Sequence, residues 1–279
     1  MKETAMPISR WLQAACLMTI LLAGVPAPAH AQGSQQTTIE TIEKRGTLMV
    51  GMSTFVPWAM RDSNGKLIGF EVDVATKLAN DLGVKLELVP TAWDGIIPAL
   101  LAGKFDVIIG GMTITPKRNL TVNFSAPYAY AGTSLAVEAS MKNGFKLADL
   151  NSPKITMTCR RGSTACANLA EFFPKATLRQ FDDDGAVTQE VLNGTAQAFG
   201  ASEPLPSYTA FQNPSKLFLP LPEDQEMNRL PAGMAIRKGD VDTLNVLNNW
   251  IEVNTKFFQD RQHYWFQTQD WRTQIAKAN

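Results

Sequence analysis

One stretch decides the fold: EVDVATKLANDLGVKLELVPTAWDGIIPALLAGKFDVIIGGMTITPKR, Glu71 to Arg118. Its first part carries Val72, Ala75, Leu78, Ala79 and Leu82 at helical spacing and stops at Gly83. VKLELV then alternates as a strand. DGIIPALLAG reads as a short helix with Asp94 as cap and Gly103 as terminator, and FDVIIG as the next strand. Strands alternating with helices predict βαβ units and a largely parallel sheet.

Working outward, TIEKRGTLMVGM predicts a helix ending at Gly46 and then a strand, and NGKLIGF carries a hairpin turn at Asn64-Gly65. A second set of βα units follows. Its strands are KITMT, TLRQF and AQAFG, and its helices are ACANLAEFF, AVTQEVLNG and a segment from Glu203. After a strand in AGMAIRKGD come a long amphipathic helix, VDTLNVLNNWIEVNTKFF, and a last helix over DRQHYWFQTQDW. Two βα sets with a cleft between them are the expected architecture.

The 279 residues carry no net formal charge and are 45% hydrophobic. That is an ordinary globular composition, with no basic cluster of the kind nucleic acid or an anionic membrane attracts. The first thirty residues differ. Lys2 and Arg10 precede the apolar run AACLMTILLAGV, too short to span a bilayer, and Ala29-His30-Ala31 follows as a small-x-small cleavage pattern. A secretory signal peptide over 1–31 and a soluble, exported mature chain starting at Gln32 are expected. Cys159 and Cys166 remain after cleavage, and an oxidising compartment can bridge a pair this close. Geometry decides it, since bridged Cα atoms must lie within about 7 Å.

Ligands of open α/β sheets bind beyond the carboxyl ends of strands. GGMTITPKR, Gly110 to Arg118, lies there. Small residues allow close approach to the backbone, and Thr115-Pro116 reads as N-cap and first residue of a helix. A helix start favours an anion, and the Arg118 fork fits a carboxylate. Thr113 adds a hydroxyl. The predicted occupant is a carboxylate shared among Arg118, Thr113 and backbone N–H.

The stretch from Gly69 onward, with its GF-x-VD, W-D-G-I-I-P-A-L and G-M-T-I-T-P-x-R blocks and the later RKGD, resembles the extracellular solute-binding proteins of family 3, the polar amino acid receptors of ABC importers. The resemblance runs from about Gly46 to Trp265. It implies a two-lobed, hinged, type II periplasmic-binding fold, with lobe 1 at 40–134 and 232–279 and lobe 2 at 135–231. It implies that Arg118 clamps a ligand α-carboxylate with Thr113 and the Gly111 backbone, and that Ser163 and Thr164 grip it from lobe 2. Phe55 in TFVPW and Trp93 in TAWDG match aromatic walls of the pocket; Trp58 fits the core equally well.

Two positions stay open. Adjacent strand residues face opposite ways, so Arg160 and Arg161 cannot both enter the cleft. Arg160 matches a position that reaches the ligand side chain, where a cation favours an acidic or polar group; a solvated arginine pair is the alternative. At Ser202 the family usually has the Asp that receives the ligand ammonium. Either Glu203 turns inward to replace it, or the ligand lacks a conventional ammonium, or Glu203 only charges the following helix start.

FDDDG, Phe181 to Gly185, reads as a capped helix start rather than a metal site, because adjacent acids diverge. Neither metal nor cofactor is expected. After cleavage His263 is the remaining histidine, which leaves a hydrolase poorly supported. The leading expectation is a periplasmic, monomeric receptor that delivers a polar or acidic amino acid to an ABC permease. The alternative is an enzyme resembling cyclohexadienyl dehydratases, using a cleft acid such as Glu203 as proton donor.

Overall fold

The structure, a computed structural model, describes residues 36–222, 225–268 and 270–274. The expected signal peptide lies outside them. Helix α1 (Thr38–Arg45) starts at a capping box between Thr37 and Glu40 and ends on Gly46 in the left-handed region. Strand β1 (Thr47–Met52) leads to a small hairpin, β2 (Met60–Arg61) and β3 (Leu67–Ile68), closed by the expected turn. Helix α2 (Phe70–Asp81), β4 (Lys85–Pro90), a short α3 (Ile96–Leu101) and β5 (Val107–Ile108) follow. Asp94 is not the cap of α3. It sits inside a preceding 3-10 turn, Trp93–Gly95, and makes no capping bond. After α4 (Pro116–Asn119) and β6 (Asn123–Phe124), the chain enters the ten-residue strand β7 (Ala129–Glu138).

The second set comprises β8 (Thr156–Arg160), α5 (Thr164–Phe172), β9 (Thr177–Phe181), α6 (Asp184–Leu192), β10 (Ala198–Ser202), α7 (Leu205–Gln212) and β11 (Leu217–Phe218). Strands β12 (Arg229–Ala232) and β13 (Ala235–Ile236) precede α8 (Val241–Val253) and α9 (Thr255–Gln262). The last expected helix breaks into a π turn, His263–Gln267, and a 3-10 turn, Asp270–Gln274.

The strands form two main sheets. One runs β4-β1-β5-β13-β6, and the other β11-β7-β10-β8-β9 with β12 on β7. Each has a parallel core edged by antiparallel strands: β13 against β5 and β6, and β7 against β10. The chain leaves the first sheet along β7 and returns along β12, and these two strands pair antiparallel from Ala129–Ala232 to Gly132–Arg229.

Both faces of each sheet are covered, which explains the continuous apolar runs in their central strands. In the first sheet Val107 and Ile109 pack with Val50, Phe70 and Leu78 on one face, while Ile108 packs with Ile96, Leu100 and Phe105 on the other. In the second, Leu135 and Val137 join Met157 and Leu169, and Ala136 joins Val187 and Phe199. The rigid faces leave the strand ends to build a site.

Candidate functional site

The site is assembled where β5, β1 and β8 end. Gly111 follows β5 with φ of +63°, and a Cβ there would stand 3.0 Å from both Phe55 and Trp58. Glycine is therefore required for backbone conformation and for close packing alike. The expected cap is present: the Arg118 backbone N–H donates to Thr115 Oγ1 at 3.2 Å, with Pro116 in the first helical turn. This orients the Arg118 side chain back over the turn. Its Nη1 donates to the Thr113 carbonyl at 2.9 Å and its Nη2 to the Gly162 carbonyl at 3.1 Å. Among the described residues no carboxylate pairs with it. Burial, then the nearby Arg160 charge, lowers its pKa to about 10.

On the opposite side, Ser163 caps α5, its Oγ accepting the Cys166 N–H at 3.2 Å. Thr164 opens that helix, and its hydroxyl lies 3.5 Å from that of Thr113. Two hydroxyls, one guanidinium and a helix start thus converge from two sheets. Cys159 and Cys166 are bridged, with Cα atoms 5.4 Å apart, so the end of β8 is tied to the first turn of α5. The tie spans Arg160 to Ala165 and fixes the loop that faces Arg118.

The two arginines of this loop part as strand geometry requires. Arg161 is exposed and paired with Asp182 at 3.1 Å. Arg160 is 6% exposed. Its guanidinium carbon lies 4.7 Å from the ring centroids of both Phe55 and Trp93. Nη1 reaches Asp184 Oδ2 at 3.1 Å and Ser53 Oγ at 3.4 Å, whereas buried Nε has no hydrogen-bond partner. Burial lowers the Arg160 pKa against the opposing effect of Asp184 and Asp183; burial raises that of Asp184 against the effect of Arg160. Phe55 and Trp93 are buried as the two walls of this cation, while Trp58 stacks on Phe55 and packs on Phe70 and Phe266 within the core.

Ser202 ends β10 and lines a cavity of about 10 Å³ with Phe55, Arg160, Ser163 and Asp184. Glu203 does not join them. Its Oε2 accepts the Ser207 hydroxyl at 2.8 Å, and it lines a separate cavity of about 440 Å³ with Trp58, Ser207 and Trp271. Burial raises its pKa. Of the residues singled out from sequence, nine converge and Glu203 stands apart.

Sequence reasoning missed Asp184 and Ser53. A signal for Asp184 existed: β8 and β9 run parallel and pair Arg160 with Phe181, so FDDDG emerges beside the inward arginine. Its three acids take three tasks. Asp182 pairs with Arg161, Asp183 caps α6 by accepting the Ala186 N–H at 2.8 Å, and Asp184 holds Arg160.

Residues 48–268 match the bacterial extracellular solute-binding proteins, family 3. The chain belongs to this family. It is 30% identical over 233 residues to the L-cystine-binding protein TcyJ of Escherichia coli (strain K12), covering 83% of this chain and 85% of that one. Among solved structures it is similar to the ancestral amino acid-binding protein AncCDT-1, a precursor of cyclohexadienyl dehydratase. The identity is 40% and the TM-score 0.74, with 83% of this chain and 100% of that chain covered. It is also similar to a binding component of an ABC transporter from Wolinella succinogenes DSM 1740 complexed with lysine. There the identity is 38% and the TM-score 0.76, over 82% and 99% of the two chains. This family 3 protein thus has the two-lobed type II periplasmic-binding fold, and the residues described above come from both of its sheets.

Proposed function

We propose that the chain is the receptor of an ABC importer and captures a small carboxylate-bearing solute of the amino acid type between its lobes. One observation carries this reading. Arg118, mostly buried, donates to two carbonyl oxygens, one from each lobe, and has no carboxylate partner among the described residues. A solute carboxylate would replace the Gly162 carbonyl with a charge-assisted partner. In this reading Arg118, the Thr113 hydroxyl and the Gly111 N–H hold it from lobe 1. Ser163 and Thr164 hold it from lobe 2, Phe55 and Trp93 wall the site, and Arg160 and Ser202 face the remainder of the solute. One ligand gripped by both lobes favours closure, which is what a permease can sense.

The lobe boundaries at 134/135 and 231/232 belong to this proposal, with the paired β7 and β12 as the hinge. So do cleavage of a signal peptide over 1–31, a periplasmic location, a permease partner and action as a monomer. We read the protein as a receptor rather than a dehydratase. Glu203, the acid that an enzyme would use, is bonded to Ser207 beside another cavity.

A thermal-shift screen across amino acids, opines and dicarboxylates tests the reading, because a ligand that binds only the folded state raises its stability. A saturable rise with a carboxylate-bearing solute is expected, with no product from prephenate or arogenate. No shift with any of them, or turnover of either compound, contradicts it.

A further inference from the structure

We infer that the solute carries two carboxylates and a net negative charge, with Arg118 taking one carboxylate and Arg160 the other. This rests on the reading of the interlobe site as a solute site and names the class of solute it takes.

The charges between the lobes do not balance. Two guanidiniums stand there, both largely buried, against one buried carboxylate, Asp184. Asp183 is exposed, its carboxylate caps α6, and its charge acts on Arg160 less than that of Asp184 does. Arg161, Asp182 and Asp94 form an exposed set at the rim. Nothing negative comes from the end of β10, where Ser202 is neutral and Glu203 faces another cavity. Burying an excess of positive charge is costly unless an anion is supplied.

The unused hydrogen-bonding capacity of Arg160 indicates where that anion goes. Nη1 is committed to Asp184 and Ser53, but Nε is buried without a partner, and the residue lines the small cavity beside Ser163 and Ser202. A carboxylate oxygen that reached Nε would satisfy it. The cavity of about 10 Å³ holds little more than one water, so the group enters as the lobes part.

The same geometry excludes cations. Aromatic faces attract a cationic side chain, but the faces of Phe55 and Trp93 are already engaged by the Arg160 guanidinium. A solute lysine or arginine side chain would find those faces occupied and meet two like charges.

Calorimetric titration decides the matter. The wild-type protein is titrated with L-aspartate, L-glutamate, succinate and carboxyalkylated amino acids (opines), and with L-asparagine, L-glutamine, L-lysine and L-arginine. The expected result is that a doubly carboxylated solute binds at least about 30-fold more tightly than its neutral or cationic counterparts. Arg160→Gln should erase that preference, lowering the affinity for the doubly carboxylated solute at least about 30-fold more than that for its neutral amide. Arg160→Lys, which keeps charge and loses the fork, should fall between and guards against misfolding of the glutamine variant. Tighter wild-type binding of a neutral or cationic solute that still depends on Arg118 overturns this inference and leaves the carboxylate-receptor reading standing. So does an equal loss of both solutes in Arg160→Gln. Binding of no solute overturns both.

Discussion

Arg118 Nη2 donates to the carbonyl oxygen of Gly162 at 3.1 Å, joining a side chain of α4 to the loop that opens α5. Beside this contact the hydroxyls of Thr113 and Thr164 approach to 3.5 Å. In the proposed reading these are the groups that engage a solute carboxylate. Replacing Thr164 with Val removes one hydroxyl at little change in shape. Solute affinity should fall by about 5- to 10-fold, the value of one neutral hydrogen bond, with an unchanged unfolding midpoint in urea. Unaltered affinity would remove Thr164 from the grip.

The disulfide acts on both stability and the loop. Cys159 and Cys166 close a short ring, with a sequence separation of 7. A double Cys→Ser variant should lose about 2 kcal/mol of stability by the chain-entropy relation. It should also weaken solute binding, because Arg160, Ser163 and Thr164 lie inside the ring. Denaturant titration measures the first effect and calorimetry the second. Thiol titration of unreduced, denatured protein should find neither cysteine free.

Glu71 gives a pH prediction. It is fully buried behind Gly111, and its Oε2 accepts the Tyr128 hydroxyl at 2.8 Å. Burial raises its pKa from 4.5 to about 8, against the lowering effect of the Tyr128 hydroxyl and the Gly111 amide. A folded-state pKa above the unfolded one means that the unfolded chain releases this proton first. The stability tied to the neutral acid is therefore complete below pH 4.5, falls as pH rises, and is gone above about pH 8. Glu71→Gln should unfold with wild-type-like or lower stability at pH 4.5 and gain on wild type toward pH 8.5. Parallel stability profiles for the two proteins would show that Glu71 ionises normally.

Glu203→Gln should alter solute affinity less than about threefold, since its carboxylate serves Ser207 beside a separate cavity. Ser202→Asp, by contrast, puts a carboxylate into the small cavity beside Arg160. It should weaken binding of an anionic solute by about tenfold or more. Reversal of this order, measured by calorimetry, would return Glu203 to the site.

Much of this was legible in the sequence because local chemistry determines it. The alternation of helix and strand periods gave α2, β4 and β5, and Thr115-Pro116 marked a helix start whose cap orients Arg118. Parity along β8 separated Arg160 from Arg161. What was not legible depends on contacts distant in sequence. The antiparallel edges, β13 and β7, are set by partners more than a hundred and about sixty residues away in the chain. The direction of Glu203 follows from Ser207 and from the Trp58 indole, which donates to its backbone carbonyl. Asp184 looked like one more acid in a helix cap, and only the neighbouring strand ends reveal it as the partner of Arg160. The last helix broke into π and 3-10 turns, where Trp265 and Trp271 are buried against each other; tertiary packing overrode the helical pattern there.

The most direct test of the account is a calorimetric titration of Arg118→Ala with the tightest solute from the thermal-shift screen. Two charge-assisted hydrogen bonds, each contributing roughly 1.5–3 kcal/mol, depend on this fork. The account predicts a loss of affinity of about 100-fold or more, with a circular dichroism spectrum like that of the wild type. An Arg118→Ala protein that binds the solute with wild-type affinity would contradict the carboxylate clamp, and with it the reading of the cleft.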